Sequence, residues 1–307
     1  MIFSVIFPVF FLLFLGFFSV RIQLISKEQI TALSAFVIKV ALPALLLHAL
    51  ASKNLHEIWY PSFFSVYAGV TALLFTLSLM IGLKVFSNSF THASILSHGA
   101  SMSNTGLLGA AILTLLMGNQ AMIYISLVVI IESVFLVPAV LVLAEIGRQN
   151  QPNFIEILKS TFLTLFKNPL FLSVVIGMSC AIFQVQIPHS LDQVFEMLGQ
   201  TAAPLALFII GGGMVGLTIQ SVNKQTLYLV FSKNICMPIL VYLGLTYFTD
   251  LDQKMIYAGT LIAALPMPSI FGIFGQIYGL NEKALTPLMI STVLSFMVVS
   301  VLIGLWW

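Results

Sequence analysis

The sequence predicts an all-α membrane protein, with ten transmembrane helices arranged as two inverted repeats of five. Three observations predict it. Apolar residues fill 60% of the 307 positions and charged residues only 7%, with a mean hydropathy of +1.09; soluble domains carry about 25% charged residues. The apolar residues fall into ten stretches of about 20 residues, the length needed to cross a hydrocarbon core. Prolines and glycines of the first half recur in the second at a constant distance.

In chain order the stretches are residues 1–20, 30–50, 62–83, 93–117 and 121–143, then 168–187, 197–219, 226–248, 255–278 and 284–307. The first lacks the basic start and small-residue cleavage site of a signal peptide, so it reads as a span. Residues 1–143 form the first repeat, 144–167 a cytoplasmic linker and 168–307 the second repeat. Loops after odd-numbered spans hold Arg21, Lys27, Lys84, Arg148, Lys159, Lys167, Lys224 and Lys283, against only Lys53 and Lys254 on the other side. The excess of positive charge puts the odd-to-even loops in the cytoplasm and both termini outside. The protein is thus expected as a multi-pass protein of the cytoplasmic (inner) membrane, with the lipid bilayer as its solvent.

The repeat is read from one offset. Pro8 plus 161 is Pro169, Gly16 gives Gly177, Pro43 gives Pro204, Tyr67 gives Tyr228 and Gly118 gives Gly279. An odd number of spans per half inserts the second repeat upside down, an arrangement typical of alternating-access transporters.

Two spans carry interruptions at corresponding places. The fourth contains Ser101, Ser103, Asn104, Thr105, Gly106 and Gly109; the ninth contains Pro266, Pro268, Ser269, Gly272 and Gly275. Proline removes a backbone donor and glycine weakens helical persistence. Freed backbone groups at membrane depth are tolerable only inside protein or beside a water-filled cavity. Half-helix N-termini meeting near the midplane carry partial positive charge and free N–H groups, so they suit a carboxylate. Ser103, Asn104, Thr105, Gly106, Pro266, Pro268 and Ser269 are therefore the expected substrate-binding residues. The competing reading is kinked helices that serve packing alone.

Other functions find little in the chain. A net charge of +2, with no basic cluster containing aromatic residues, offers nothing to nucleic acid. The metalloprotease, nucleophile-elbow and Walker A patterns are missing, so no enzyme, cofactor or metal site is expected. Cys180 and Cys236 fall in apolar runs and read as packing residues.

Six stretches make the chain resemble the auxin efflux carrier family in its bacterial branch. They are ALPALLL at 41–47, SNTGLLG at 103–109, KNPLFLSVVIGM at 167–178, APLALFIIGGGM at 203–214, KNICMPIL at 233–240 and ALPMPSIFGIFGQIYG at 264–279. The resemblance implies a fold shared with bile acid sodium symporters and some sodium/proton antiporters. Spans four and nine would cross at their broken midpoints in a moving core domain of spans 3–5 and 8–10. Spans one, two, six and seven would form the scaffold, with a homodimer surface. Asn104 would be the polar residue beside the crossover and Pro268 a crossover proline. Bacterial members are associated with dicarboxylates such as malate, malonate or oxalate, and plant members with the auxin carboxylate. Many relatives have proline where this chain has Ala111, so span four must break through Gly106 and Gly109 alone.

Three charged residues fall inside spans. Glu132 is the candidate proton carrier, since a carboxylate taken out of water can gain and lose a proton; a static core hydrogen bond is the alternative. Lys233 can pair with Glu132, take the place of a sodium ion in related folds, or snorkel to the interface. Lys39, one turn before Pro43, reads as a snorkelling lysine that can also attract substrate. His98 can titrate or bind substrate, or be a satisfied core histidine. The scarcity of side-chain oxygen ligands around Pro266 and Pro268 favours protons over sodium as the coupling ion. The expected function is secondary transport of a small organic anion. A cation/proton antiporter of the same fold and an uncoupled anion uniporter are the alternatives.

Overall fold

The computed structural model describes residues 2–51, 59–148, 166–167, 169–213, 215–216 and 222–307. Lys53, Lys159 and most of the linker lie outside the described residues. Every regular element described is a helix, the expected outcome where lipid offers the backbone no hydrogen-bonding partner.

The first half holds α1 (Ile2–Arg21), α2 (Lys27–Phe36), α3 (Leu42–Ala51), α4 (Pro61–Lys84), α5 (Phe90–Ser101), α6 (Ala110–Met117), α7 (Ala121–Ile130) and α8 (Val137–Arg148). The second holds α9 (Pro169–Phe183), α10 (His189–Gln200), α11 (Ala202–Gly213), α12 (Lys224–Phe231), α13 (Met237–Phe248), α14 (Gln253–Ala264), α15 (Ser269–Ile277) and α16 (Asn281–Trp306). Polar caps start several of them. Ser26 and Gln29 form a reciprocal capping box on α2, while Ser89, Asn223 and Asp252 accept from the first turns of α5, α12 and α14.

Six helical runs among the described residues are long and apolar enough to cross a membrane. They correspond to seven of the ten stretches read from sequence. The run Phe90–Arg148 contains both the fourth and the fifth stretch. The ninth is divided into α14 and α15, each too short by itself, and α9 stops at Phe183. The seventh stretch begins earlier than its apolar core suggested, at His189, because α10 is amphipathic.

Among the described residues, four π turns interrupt the helices: Val37–Ala41, Thr105–Gly109, Ile131–Leu136 and Ser232–Cys236. Lys39, Glu132 and Lys233, the three intramembrane charges read from sequence, each sit in one. Three of the turns share a cause. Pro43, Pro138 and Pro238 each stand two residues beyond the end of a turn. A proline ring crowds the carbonyl four residues back, and widening the helix by one residue relieves the clash. The fourth turn has Ala111 at that spacing and forms without proline, directly after a break in the chain.

Helix packing is closest between α1 and α11. A Cβ on Gly16 would lie 1.9 Å from the Phe208 carbonyl oxygen, and one on Gly211 would lie 1.9 Å from that of Leu13. Small residues at such crossings let backbones meet where lipid supplies no hydrophobic drive. A second contact of this kind joins α9 to α3, where Gly177 faces Leu50 and Leu46.

Candidate functional site

Both sequence-predicted interruptions are real breaks, and they touch. After α5 the chain is extended at Met102 (φ −120°, ψ 146°) and resumes as a helix at Thr105. After α14 it is extended at Leu265 (φ −61°, ψ 157°) and resumes at Ser269. The backbone N–H of Asn104 donates to the carbonyl of Pro266 at 2.9 Å. Helices α5–α6 and α14–α15 therefore meet at their broken midpoints. Gly118 after α6 and Gly279 after α15 both adopt positive φ, 64° and 73°, which glycine accepts without strain.

A break exposes backbone groups that need partners. On the α5–α6 side, Glu132 accepts from the Ser103 N–H at 3.2 Å and from the Thr105 hydroxyl at 2.8 Å. The Asn104 carbonyl accepts from the N–H groups of Leu108 and Gly109. The fully buried ring of Tyr67 from α4 lies beside Glu132 and Ser103. On the α14–α15 side, the Lys233 ammonium donates to the Ala263 carbonyl at 2.6 Å and the Ser295 hydroxyl to that of Ala264 at 2.6 Å. The Met267 N–H donates to the Ser291 hydroxyl at 3.1 Å. A cation on the last carbonyls of α14 also complements that helix's negative end.

Glu132 and Lys233 are both buried, but no ion pair joins them among the described residues. Each braces a different break. Lys233 does not snorkel: its relative exposure is 0%. His98 stands behind the break, with Nε2 2.9 Å from the Met102 sulfur and its ring against Phe271 and Phe274. It is a core residue in this structure. Pro266 and Pro268 are buried, Gly106 sits in the π turn, and the side chain of Ser269 lies outside the described residues.

Beside the crossing lies a cavity of about 670 Å³. One wall is α2 with its π turn, including Thr31, Ser34, Ile38 and Lys39, and α11 with Ile209, Ile210 and Gly213. The other is Asn104, Leu107, Leu108 and Met267 at the breaks, with Leu288, Met289 and Thr292 of α16. Of the predicted substrate residues, Asn104 lines this cavity; Ser103 and Thr105 turn to Glu132 instead.

Sequence reasoning missed Ser291 and Ser295, which look like ordinary serines in an apolar helix. It also missed the π turns, although the spacing of Pro43, Pro138 and Pro238 after the three charges was a usable signal. Among the described residues, no three His, Cys, Asp or Glu side chains come together as metal ligands do.

The sequence profile of the family described as "Membrane transport protein" matches residues 1–303. The "Putative malonate transporter" of Rhizobium meliloti (strain 1021) is 27% identical over 305 residues, covering 98% of this chain and 95% of that protein. The "Uncharacterized transporter YfdV" of Escherichia coli (strain K12) is 24% identical over 265 residues, covering 83% of this chain and 82% of its own length. The "Lysosomal cholesterol signaling protein" of Mus musculus is 26% identical over 239 residues, 73% of this chain but only 27% of that larger protein.

Proposed function

Because the chain belongs to the membrane transport protein family, and is a multi-pass transporter and not an enzyme, we propose that it carries a small organic anion across the cytoplasmic membrane by secondary transport. The observation that carries this reading is the contact of the two breaks, Asn104 to Pro266, beside a cavity that Asn104 itself lines. Broken helices at matched positions are where transporters of inverted-repeat design bind substrate. The full-length relation to a protein named for malonate transport supports a carboxylate as the cargo.

In this reading the chain has ten spans in two inverted repeats, with both termini outside. The pairing of α1 with α11 and of α9 with α3 supports it. Gly16 and Gly177 are offset partners, and each packs on the other repeat's equivalent of the same helix. The positive φ at both Gly118 and Gly279 supports it again. Spans one, two, six and seven are the scaffold, with a surface for a homodimer. The remaining spans form the core, which moves past the scaffold as an elevator and carries the crossing with it. The cavity lies toward the helix ends next to Lys27 and Lys283, the basic side, which in this reading is the cytoplasmic one.

Glu132 is the coupling group of this mechanism. Its carboxylate holds the Ser103 and Thr105 donors on either side of Asn104, so its protonation changes the backbone that presents Asn104 to substrate. Lys233 places its amine at the other break, where a sodium-coupled carrier would hold its ion.

The test is uptake of labelled mono- and dicarboxylates into liposomes, with and without a pH gradient. Asn104→Ala is expected to lower kcat/KM by roughly tenfold, the worth of about one hydrogen bond. Movement of Na⁺ or H⁺ with no carboxylate would replace the anion reading by the antiporter one.

A further inference from the structure

The cavity beside the crossing carries more information than its position. Lys39 is the one ionisable side chain in its lining, and neither Asp nor Glu lines it among the described residues. Lys39 is exposed in the cavity lining and makes no ion pair among those residues. It stands in the π turn that Pro43 imposes on this span. Around it the walls are mostly aliphatic: Ile38, Leu107, Leu108, Ile209, Leu288 and Met289.

We propose that Lys39 is the counter-charge of this cavity, and that the ligand is a carboxylate with an apolar body, its head between Lys39 and Asn104. The proposal rests on reading this cavity as the transport site and narrows that site's substrate class. Two magnitudes favour it. A compact dicarboxylate has almost no apolar surface to offer these walls and would bring a second charge with no second cation to meet it. Stripping water from an uncompensated charge is among the most expensive steps in binding. An aliphatic or aromatic body gains about 0.8 kcal/mol for each buried methylene, and a volume of about 670 Å³ accommodates a body of many carbons. Because Lys39 belongs to the wall formed by α2 and Asn104 to the breaks, the two hold the same carboxylate only while those walls face each other.

The experiment titrates the purified, detergent-solubilised protein with straight-chain monocarboxylates from butanoate to decanoate, and with malonate and succinate, by calorimetry. Affinity is expected to rise about fourfold per added methylene until the cavity is filled, with malonate and succinate weaker than hexanoate. Lys39→Gln should weaken every monocarboxylate by about tenfold or more while leaving the slope with chain length unchanged, and Lys39→Arg should restore most of the loss. A flat series, or malonate binding above all monocarboxylates, overturns the apolar ligand class on the unmodified protein alone. A Lys39→Gln series identical to the parent overturns the counter-charge. The same acids are run in the liposome assay. Uptake confined to short dicarboxylates removes this inference and leaves anion transport standing, whereas monocarboxylate binding without uptake of any carboxylate removes the transport reading.

Discussion

Replacing Glu132 by alanine is expected to abolish transport and to lower thermal stability by a margin well outside measurement error. The carboxylate accepts from two donors, the Ser103 N–H at 3.2 Å and the Thr105 hydroxyl at 2.8 Å, and all three groups are buried. Alanine orphans both donors. Neutral hydrogen bonds between membrane helices average only about 0.6 kcal/mol, but a buried donor left with no partner costs roughly 1–3 kcal/mol. The deletion therefore costs several kcal/mol through the orphaned groups, more than the bonds themselves contribute. Glu132→Gln keeps the shape and one acceptor oxygen, so it should fold with a Tm close to the parent's. The two variants separate two roles. If Glu132→Gln transports and still responds to a pH gradient as the parent does, Glu132 is a brace for the break and not the coupling group. If it transports while ignoring the gradient, it is both.

The second large effect is expected at the α1–α11 crossing. Gly211→Ala places a methyl 1.9 Å from the Leu13 carbonyl oxygen, and Gly16→Ala does the same against Phe208. In each case the obstacle is backbone, so no rotamer change relieves it and the helices must separate. Overpacking a well-fitted core typically costs 1–3 kcal/mol and sometimes more, and a backbone clash belongs at the upper end. Either variant should show sharply reduced yield of monodisperse protein in detergent and a lower Tm. Gly69→Ala in α4 is the control, because nothing lies within 4 Å of the added methyl. Stability lost equally at Gly69 would mean that glycine content, and not this crossing, governs the fold.

Much of this was open to reading in the chain itself. Apolar stretches at the length of a bilayer force helices, because no other local structure satisfies the backbone there. The two interruptions were legible for the same reason: Pro266, Pro268 and the Gly106–Gly109 stretch act on their own turns, within a few residues. Even the break without a proline at position 111 formed, carried by the extended Met102 and the π turn that follows.

What the chain could not reveal was which distant groups would meet. Glu132 reaches Ser103 and Thr105, Lys233 reaches Ala263, and Ser291 and Ser295 of α16 reach Met267 and Ala264. Sequence offered Glu132 and Lys233 as partners of each other, since opposite charges in an apolar setting attract. The fold gave each its own break, since unpaired backbone groups at the end of a half-helix compete for the same charges. Lys39 changed in the same way: as a lone charge inside an apolar run it reads as snorkelling, and only the approach of α11 and α16 places it on a cavity wall. Hydropathy, proline and glycine act through chain neighbours and so determined the helices and their breaks. Partners and cavities arise where segments far apart in sequence are packed together, and only the tertiary structure decided those.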